Sequence, residues 1–145
     1  MLPVSKASRG RVAALDLGDV RTGVAVSDTG RVVATPLAVV PSVELSGYLR
    51  RLFGEEAVAE VVVGVPRTLG GEVGYQARKV LNTLEALREE FPDVRFVEWD
   101  ERLTTRLAVA GSGGKRRARK GGTPRVDDLA AARMLQEYLR TRGDR

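Results

Sequence analysis

The first part of the chain is a series of short apolar runs separated by turn-forming clusters, a pattern that predicts strands rather than helices. Arg11 to Leu17 is apolar enough to be buried on both faces of a sheet. Gly18-Asp19-Val20 turns the chain into Arg21 to Ser27. Ser27-Asp28-Thr29-Gly30 turns it again into Arg31 to Val40, so an antiparallel three-stranded meander is expected. Pro36 cannot donate to a ladder, which puts the third strand at an edge or breaks it.

The period then changes. Ser42 offers an N-cap for a helix through about Phe53, with Val43, Leu45, Leu49, Leu52 and Phe53 as its apolar positions. Ala59 to Val65 is a second continuous apolar strand, and Pro66 to Gly74 is a Gly-rich loop. Ala77, Val80, Leu81, Leu84 and Leu87 fall at helical spacing, and Pro92-Asp93 ends that helix. Arg95 to Trp99 is the next strand, and Thr104 caps a short helix. A last helix runs from about Pro124 to Arg140, with Thr123-Pro124 as cap and first turn. The order β-β-β-α-β-α-β-α-α predicts an α/β fold with a mixed five-stranded sheet and helices on both faces. At 145 residues the chain, 1–145, is one domain with a core of about residues 11–140 and frayed ends.

One residue breaks this pattern. Asp16 interrupts the first apolar strand, and a buried charge costs several kcal/mol unless something pairs with it. The chain has neither His nor Cys. That removes disulfides, zinc ribbons, thiol nucleophiles and imidazole bases, leaving carboxylates, Lys, Ser/Thr, Tyr and hard cations for any chemistry. A shared Mg²⁺ or Mn²⁺ is the most economical partner for Asp16.

Further carboxylates sit where elements begin or end. Asp100-Glu101-Arg102 terminates the strand Arg95 to Trp99; alternation sends Asp100 and Glu101 to opposite faces, and only one can face Asp16. The last helix presents Arg133, Gln136, Glu137 and Arg140 on one face. Ala130, Ala131, Met134, Leu135, Tyr138 and Leu139 form the other, and both Asp127 and Asp128 fall on this apolar side. The helix dipole accounts for an acid in a first turn, but not for two acids facing the core. Asp19 and Asp28 lie in turns and read as structural.

Charge adds a partner. The net charge is +5 with a pI near 10.1, concentrated in Lys115, Arg116, Arg117, Arg119, Lys120 and Arg125. Glycines at 111, 113, 114, 121 and 122 bracket this run, so a mobile basic loop over 111–125 that attracts polyanions is expected. Arg21, Arg67 and Arg102 are further candidates to grip phosphates, a contact that positions a strand without reading sequence. Tyr75 and Trp99 are candidates to stack on a base, with core packing an equal expectation for Trp99. No apolar run approaches the roughly 20 residues of a membrane span, and the expected location is cytoplasmic.

Five stretches carry a resemblance. They are Leu15-Asp16-Leu17-Gly18 with Arg21 to Asp28; Ala34-Thr35-Pro36-Leu37; and Val62-Val63-Gly64-Val65-Pro66 with Gly71. Asp100 to Thr105 and Val126 to Ala131 with Met134-Leu135-Gln136 complete the set. In this order, from Arg11 to Leu139, they resemble the YqgF/RuvX family of RNase H-like nucleases. The resemblance implies an RNase H-like fold and a nuclease whose carboxylates Asp16, Glu101 and Asp127 bind Mg²⁺ or Mn²⁺. It favours Glu101 over Asp100 and Asp127 over Asp128. It further implies two ions about 3.5–4 Å apart, and products with 5′-phosphate and 3′-hydroxyl ends. The substrate it implies is RNA, at the 5′ end of precursor 16S rRNA. Branched DNA is the alternative, and a junction resolvase would work as a homodimer. The segment after Gly-Val-Pro departs from the family, reading Arg67-Thr68-Leu69-Gly70-Gly71 where Asn or another polar residue is usual.

Two rival readings make different demands. A non-catalytic nucleic-acid-binding protein would use the basic loop and leave the acids as caps. A sugar-kinase or actin-like ATPase shares an Asp-x-Gly after its first strand, but needs two such domains where this chain supplies one.

Overall fold

The two longest apolar runs, β1 (Arg11–Leu17) and β4 (Val58–Val65), lie side by side and parallel at the centre of a five-stranded sheet. β2 (Arg21–Ser27) and β3 (Ala34–Pro41) continue antiparallel on one side, and β5 (Arg95–Asp100) is parallel on the other. The order is therefore β3-β2-β1-β4-β5. The computed structural model describes residues 10–67, 74–101 and 126–143, with side chains over 129–141 in the last segment. The penultimate helix expected around Thr104, the 111–125 loop and residues 1–9 lie outside these residues.

Alternation along β1 divides the interior into two cores. Ala13 and Leu15 face one layer together with Val24, Val61, Val63 and Val65. This layer is covered by α1 (Leu45–Glu55), through Leu45, Leu49 and Leu52, and by α2 (Tyr75–Glu90), through Ala77, Val80, Leu84 and Leu87. Val12, Ala14, Ala25 and Val62 face the other layer, covered by α3 (Val126–Gly143) through Ala131, Met134, Leu135, Tyr138 and Leu139. Each fully buried Val or Leu contributes about 1.5–3 kcal/mol, so the aliphatic layers hold the fold without aromatic bulk. The expected mixed sheet with helices on both faces is what these residues form.

Three expectations are corrected. The third strand begins at Ala34 rather than Arg31, because the Asp28 carboxylate accepts the amides of Val32 and Val33, both at 2.8 Å. Those amides hold the Asp28 carboxyl below its usual range, and Arg31 adopts the left-handed φ of 61° that closes the turn. Ser42 does not cap α1. Its Oγ donates to the Gly18 carbonyl at 2.6 Å and meets Thr22 Oγ1 at 2.9 Å, so a 3₁₀ turn, Ser42–Glu44, precedes the helix. The last helix, described from Val126 onward, runs on to Gly143 instead of ending at about Arg140, and its expected start at Pro124 lies outside the described residues. Pro36 does sit on the edge strand, where the ladder slips between the Val24–Ala38 and Ala25–Pro36 pairs. No helix among the described residues is long and apolar enough to cross a membrane.

Candidate active site

Asp16 shares its face of β1 with Val12 and Ala14, so it points to the α3 side of the sheet. Its cross-strand partner on β2 is Gly23. On the other flank, Leu15 pairs with Val63, which makes Gly64 the next neighbour on β4. A central-strand aspartate thus lies between two glycines. Glycine inside a strand marks close approach by something else, and here that something is Glu101. A Cβ on Gly64 would stand 2.7 Å from Glu101 Oε2, 2.9 Å from Glu101 Cγ and 2.9 Å from Met134 Sδ. The Glu101 carboxylate therefore occupies the space that a side chain on β4 would fill.

Local structure explains which acid arrives there. β5 ends at Asp100, and Glu101 is already helical. Val97 and Trp99 pack on the α3 side, so alternation alone would send Asp100 to the opposite face. Residue 101 is in phase with Val97 and Trp99, and the Glu101 side chain reaches over Gly64 on that side. Burial first, then the charges of Asp16 and Asp100, raise the Glu101 carboxyl from 4.5 to about 7. Two carboxylates brought together with a third close by make a strongly negative, partly desolvated pocket.

Asp127 and Asp128 occupy the first turn of α3, one turn before Ala131 and Ala132. Their side chains lie outside the described residues. Among the described residues no three Asp or Glu side chains converge closely enough to hold an ion on their own. The donors that do converge, Asp16 and Glu101, are all oxygen, a set that suits hard divalent cations. They fit the metal that the sequence implies, and negative charge pressed into one place is what such an ion relieves.

Of the basic candidates, Arg21 is exposed at the start of β2. Arg67 lies 3.7 Å from Glu98 on β5. Arg102, Lys115, Arg116, Arg117, Arg119, Lys120 and Arg125 lie outside the described residues. Trp99 is half-buried and meets Tyr138 edge-on, with ring centroids 5.8 Å apart, so it packs against the core. Tyr75 is 69% exposed, with Lys79 Nζ 5.1 Å from its ring centroid. Asp19 is 2.7 Å from Lys79 Nζ and raises that ammonium's pKa. A cavity of about 190 Å³ beside this pair opens between α2 and the end of β1, on the face away from Asp16.

Neither Gly23 nor Gly64 is marked as functional by composition or periodicity. The signal for Gly64 was present as a glycine inside an otherwise unbroken Val strand. Its meaning depends on which residues lie across the ladder.

A family model described as RuvX, Holliday junction resolvase, matches residues 10–141. A protein of Rubrobacter xylanophilus is 64% identical over 136 residues, covering 92% of this chain and 95% of its own length. One from Desulforudis audaxviator is 42% identical over 139 residues, covering 91% and 95%. Both carry the provisional name of pre-16S rRNA nuclease. Among solved structures, Thermus thermophilus RuvC in complex with Holliday junction substrate matches with a TM-score of 0.59 at 17% identity, over 93% of this chain and 96% of that one. That likeness is one of fold, and it agrees with the RNase H-like architecture expected from the chain.

Proposed function

The chain belongs to the RuvX family, and from that premise we propose that it is a metal-dependent nuclease that hydrolyses phosphodiester bonds in RNA, processing the 5′ end of precursor 16S rRNA. The observation that carries the reading is Glu101, folded over Gly64 toward Asp16 with its carboxyl raised to about 7. A purely structural acid at a strand end has no reason to be turned into a glycine-lined recess within the field of a second carboxylate.

Asp16, Glu101 and Asp127 are the residues that would hold Mg²⁺ or Mn²⁺, as a pair of ions in the fullest form of the reading. When bound, such ions stabilise developing charge on the phosphate and lower the pKa of water. The protein supplies the rest. β1 and the exit of β5 fix two carboxylates on rigid elements, and α3 brings the third from its first turn. With its carboxyl raised to about 7, Glu101 is partly protonated near neutral pH, so cation binding there would be linked to proton release. Arg21 at the rim, with the basic side chains of 115–125, holds backbone phosphates so that the scissile phosphorus faces the carboxylates. Water attacks phosphorus, the bond to the 3′ oxygen breaks, and 5′-phosphate and 3′-hydroxyl ends result.

A second reading, cleavage of four-way DNA junctions, is favoured by the description that the matching family model carries. It requires two sites related by a two-fold axis and hence a homodimer. Side-by-side cleavage of structured precursor rRNA, single-stranded RNA and a four-way junction, with Mg²⁺ and with Mn²⁺, separates the two. Preferential junction cutting by a dimer would replace the RNA reading, and no cleavage of any substrate would end both.

A further inference from the structure

Glu60 is 4% exposed near the start of β4, at the end of the sheet opposite to Glu101. It faces the α3 layer, where the Tyr138 hydroxyl donates to its Oε2 and Arg31 Nη1 stands 3.6 Å from its Oε1. Arg31 is held in turn by its Nε, which donates to the Gly10 carbonyl at 2.9 Å. The Tyr138 ring meets Trp99 edge-on, and Trp99 is followed by Asp100 and Glu101. A partly buried line thus runs from Arg31 through buried Glu60 and Tyr138 to half-buried Trp99 and the strand end that carries Glu101.

A buried charged group is a poor way to gain stability, since well-packed apolar residues of similar volume do as well or better. It is a good way to fix a register. The apolar stripe of α3 is made of Ala131, Met134, Leu135 and Leu139, which pack without directional bonds and allow a helix to turn or slide. Among the described residues, the directional bonds come from its other face and its C-terminal half. Gln136 Oε1 accepts the Ala34 amide at 3.0 Å, Gln136 Nε2 donates to the Val32 carbonyl at 2.9 Å, and Tyr138 holds Glu60. Met134 then falls beside Gly64. On the same rigid helix Asp127 lies 11 residues before Tyr138, about 16 Å along the axis at about 1.5 Å per residue.

We propose that Tyr138, anchored by Glu60, is a positioning residue for the carboxylate site: it sets the register of α3 on the sheet and, through Trp99, the exit of β5 into Glu101. Its effect on cleavage rests on the nuclease reading above; its effect on cation binding does not.

The test uses the full-length, metal-free protein and Mn²⁺ binding measured by calorimetry, with Mn²⁺ titrations of cleavage alongside. Y138F and E60A weaken Mn²⁺ binding roughly 10-fold, a typical outer-shell effect, and raise the Mn²⁺ concentration for half-maximal cleavage in step. E60Q keeps an oxygen for the Tyr138 hydroxyl and stays within about twofold of wild type. V80A loosens the core on the other face of the sheet and leaves Mn²⁺ binding unchanged. Emission of Trp99, the single tryptophan, shifts in metal-free Y138F but not in V80A. Y138F that binds Mn²⁺ as tightly as wild type, or V80A that weakens it equally, overturns the proposal. Wild type that binds Mn²⁺ but cuts no nucleic acid overturns the nuclease reading alone, and the binding arm still decides the role of Tyr138. Wild type that binds no Mn²⁺ overturns both.

Discussion

Replacing Glu101 by Gln keeps the size of the side chain over Gly64 and removes its charge. In the metal-free protein this change stabilises the fold, although the residue belongs to the proposed catalytic set. The folded-state carboxyl stands at about 7 against an ordinary 4.5, so the native protein holds this proton more tightly than the unfolded chain does. Below about pH 4.5 both states are protonated and the acid costs nothing. As pH rises toward 7 the unfolded chain gives up the proton first, and native stability falls; above 7 the whole penalty is in place. Carried over undiminished, the shift corresponds to about 3 kcal/mol at about 1.4 kcal/mol per pH unit. Glu101 is only partly buried, and water screens part of that repulsion, so about 1–2 kcal/mol is expected. In a domain of this size that is roughly 3–8 °C in Tm.

The assay is thermal or urea unfolding of wild type and E101Q in EDTA, at pH 4.5 and pH 8. E101Q melts higher at pH 8, and the gap closes at pH 4.5. Added Mn²⁺ reverses the order at pH 8, because binding to the native state stabilises wild type and the variant has lost a ligand. If E101Q is no more stable than wild type at pH 8 in EDTA, Glu101 does not sit in a negative, desolvated pocket and the geometric argument for the site collapses.

Asp16→Asn should reduce cleavage beyond the roughly 10–100-fold typical of an outer-shell change, while circular dichroism and nucleic-acid binding stay near wild type; an active variant removes Asp16 from the site. Gly64→Ala places a methyl where Glu101 and Met134 already stand, so about 1–3 kcal/mol of stability is lost and cleavage falls with every acid still present. Denaturant unfolding and activity together check it, and a fully active, stable variant contradicts the close approach. Replacing Arg116, Arg117 and Arg119 by Ala should weaken RNA binding and flatten its log–log salt slope by about 2, at about 0.7 per phosphate contact; an unchanged slope places the substrate elsewhere.

Much of the fold could be read from pattern because the strong signals were local. The apolar runs of β1 and β4, and the spacing of Ala77, Val80, Leu84 and Leu87, admit few alternatives. Two of the misplaced boundaries share a cause. At Asp28 the carboxylate takes the Val32 and Val33 amides that a strand would have used, and at Ser42 the hydroxyl serves the Gly18 carbonyl instead of a helix amide. A hydroxyl that can cap a helix can equally hold a neighbouring turn, and only tertiary structure chooses. Alternation along β5 separates Asp100 from Glu101, but which of the two shares a face with Asp16 depends on which side of the sheet α3 covers, and no single stretch of chain states that. The recess around Asp16 was hidden for a deeper reason. Gly23 and Gly64 flank it through ladder pairing, and register between distant segments is written in no single stretch of chain. The bond from Tyr138 to Glu60 spans 78 positions and is invisible to any window.

The acids of the candidate site are held with unequal firmness, and this has a consequence for how such a site behaves. Asp16 sits on the central strand, paired with Gly23 on β2 and one residue beyond the last β4 pair, Leu15–Val63, and β5 is locked to β4 along six register positions up to Asp100. Asp127 rides on a helix attached to the sheet by side chains alone. The sheet therefore presents a fixed pair of acids that repel one another, and the docking of α3 governs whether a third joins them. Strand glycines and a half-neutral glutamate are departures from what a stable sheet prefers, and the two aliphatic cores offset them. On the proposed reading, a cation held by Asp16, Glu101 and Asp127 would relieve the repulsion between the fixed acids and press α3 toward the sheet. Metal affinity and helix docking would then be one equilibrium. A cation should protect the amides of α3 from hydrogen exchange more than those of α1 or α2, and equal protection of all three helices would separate the helix from the site.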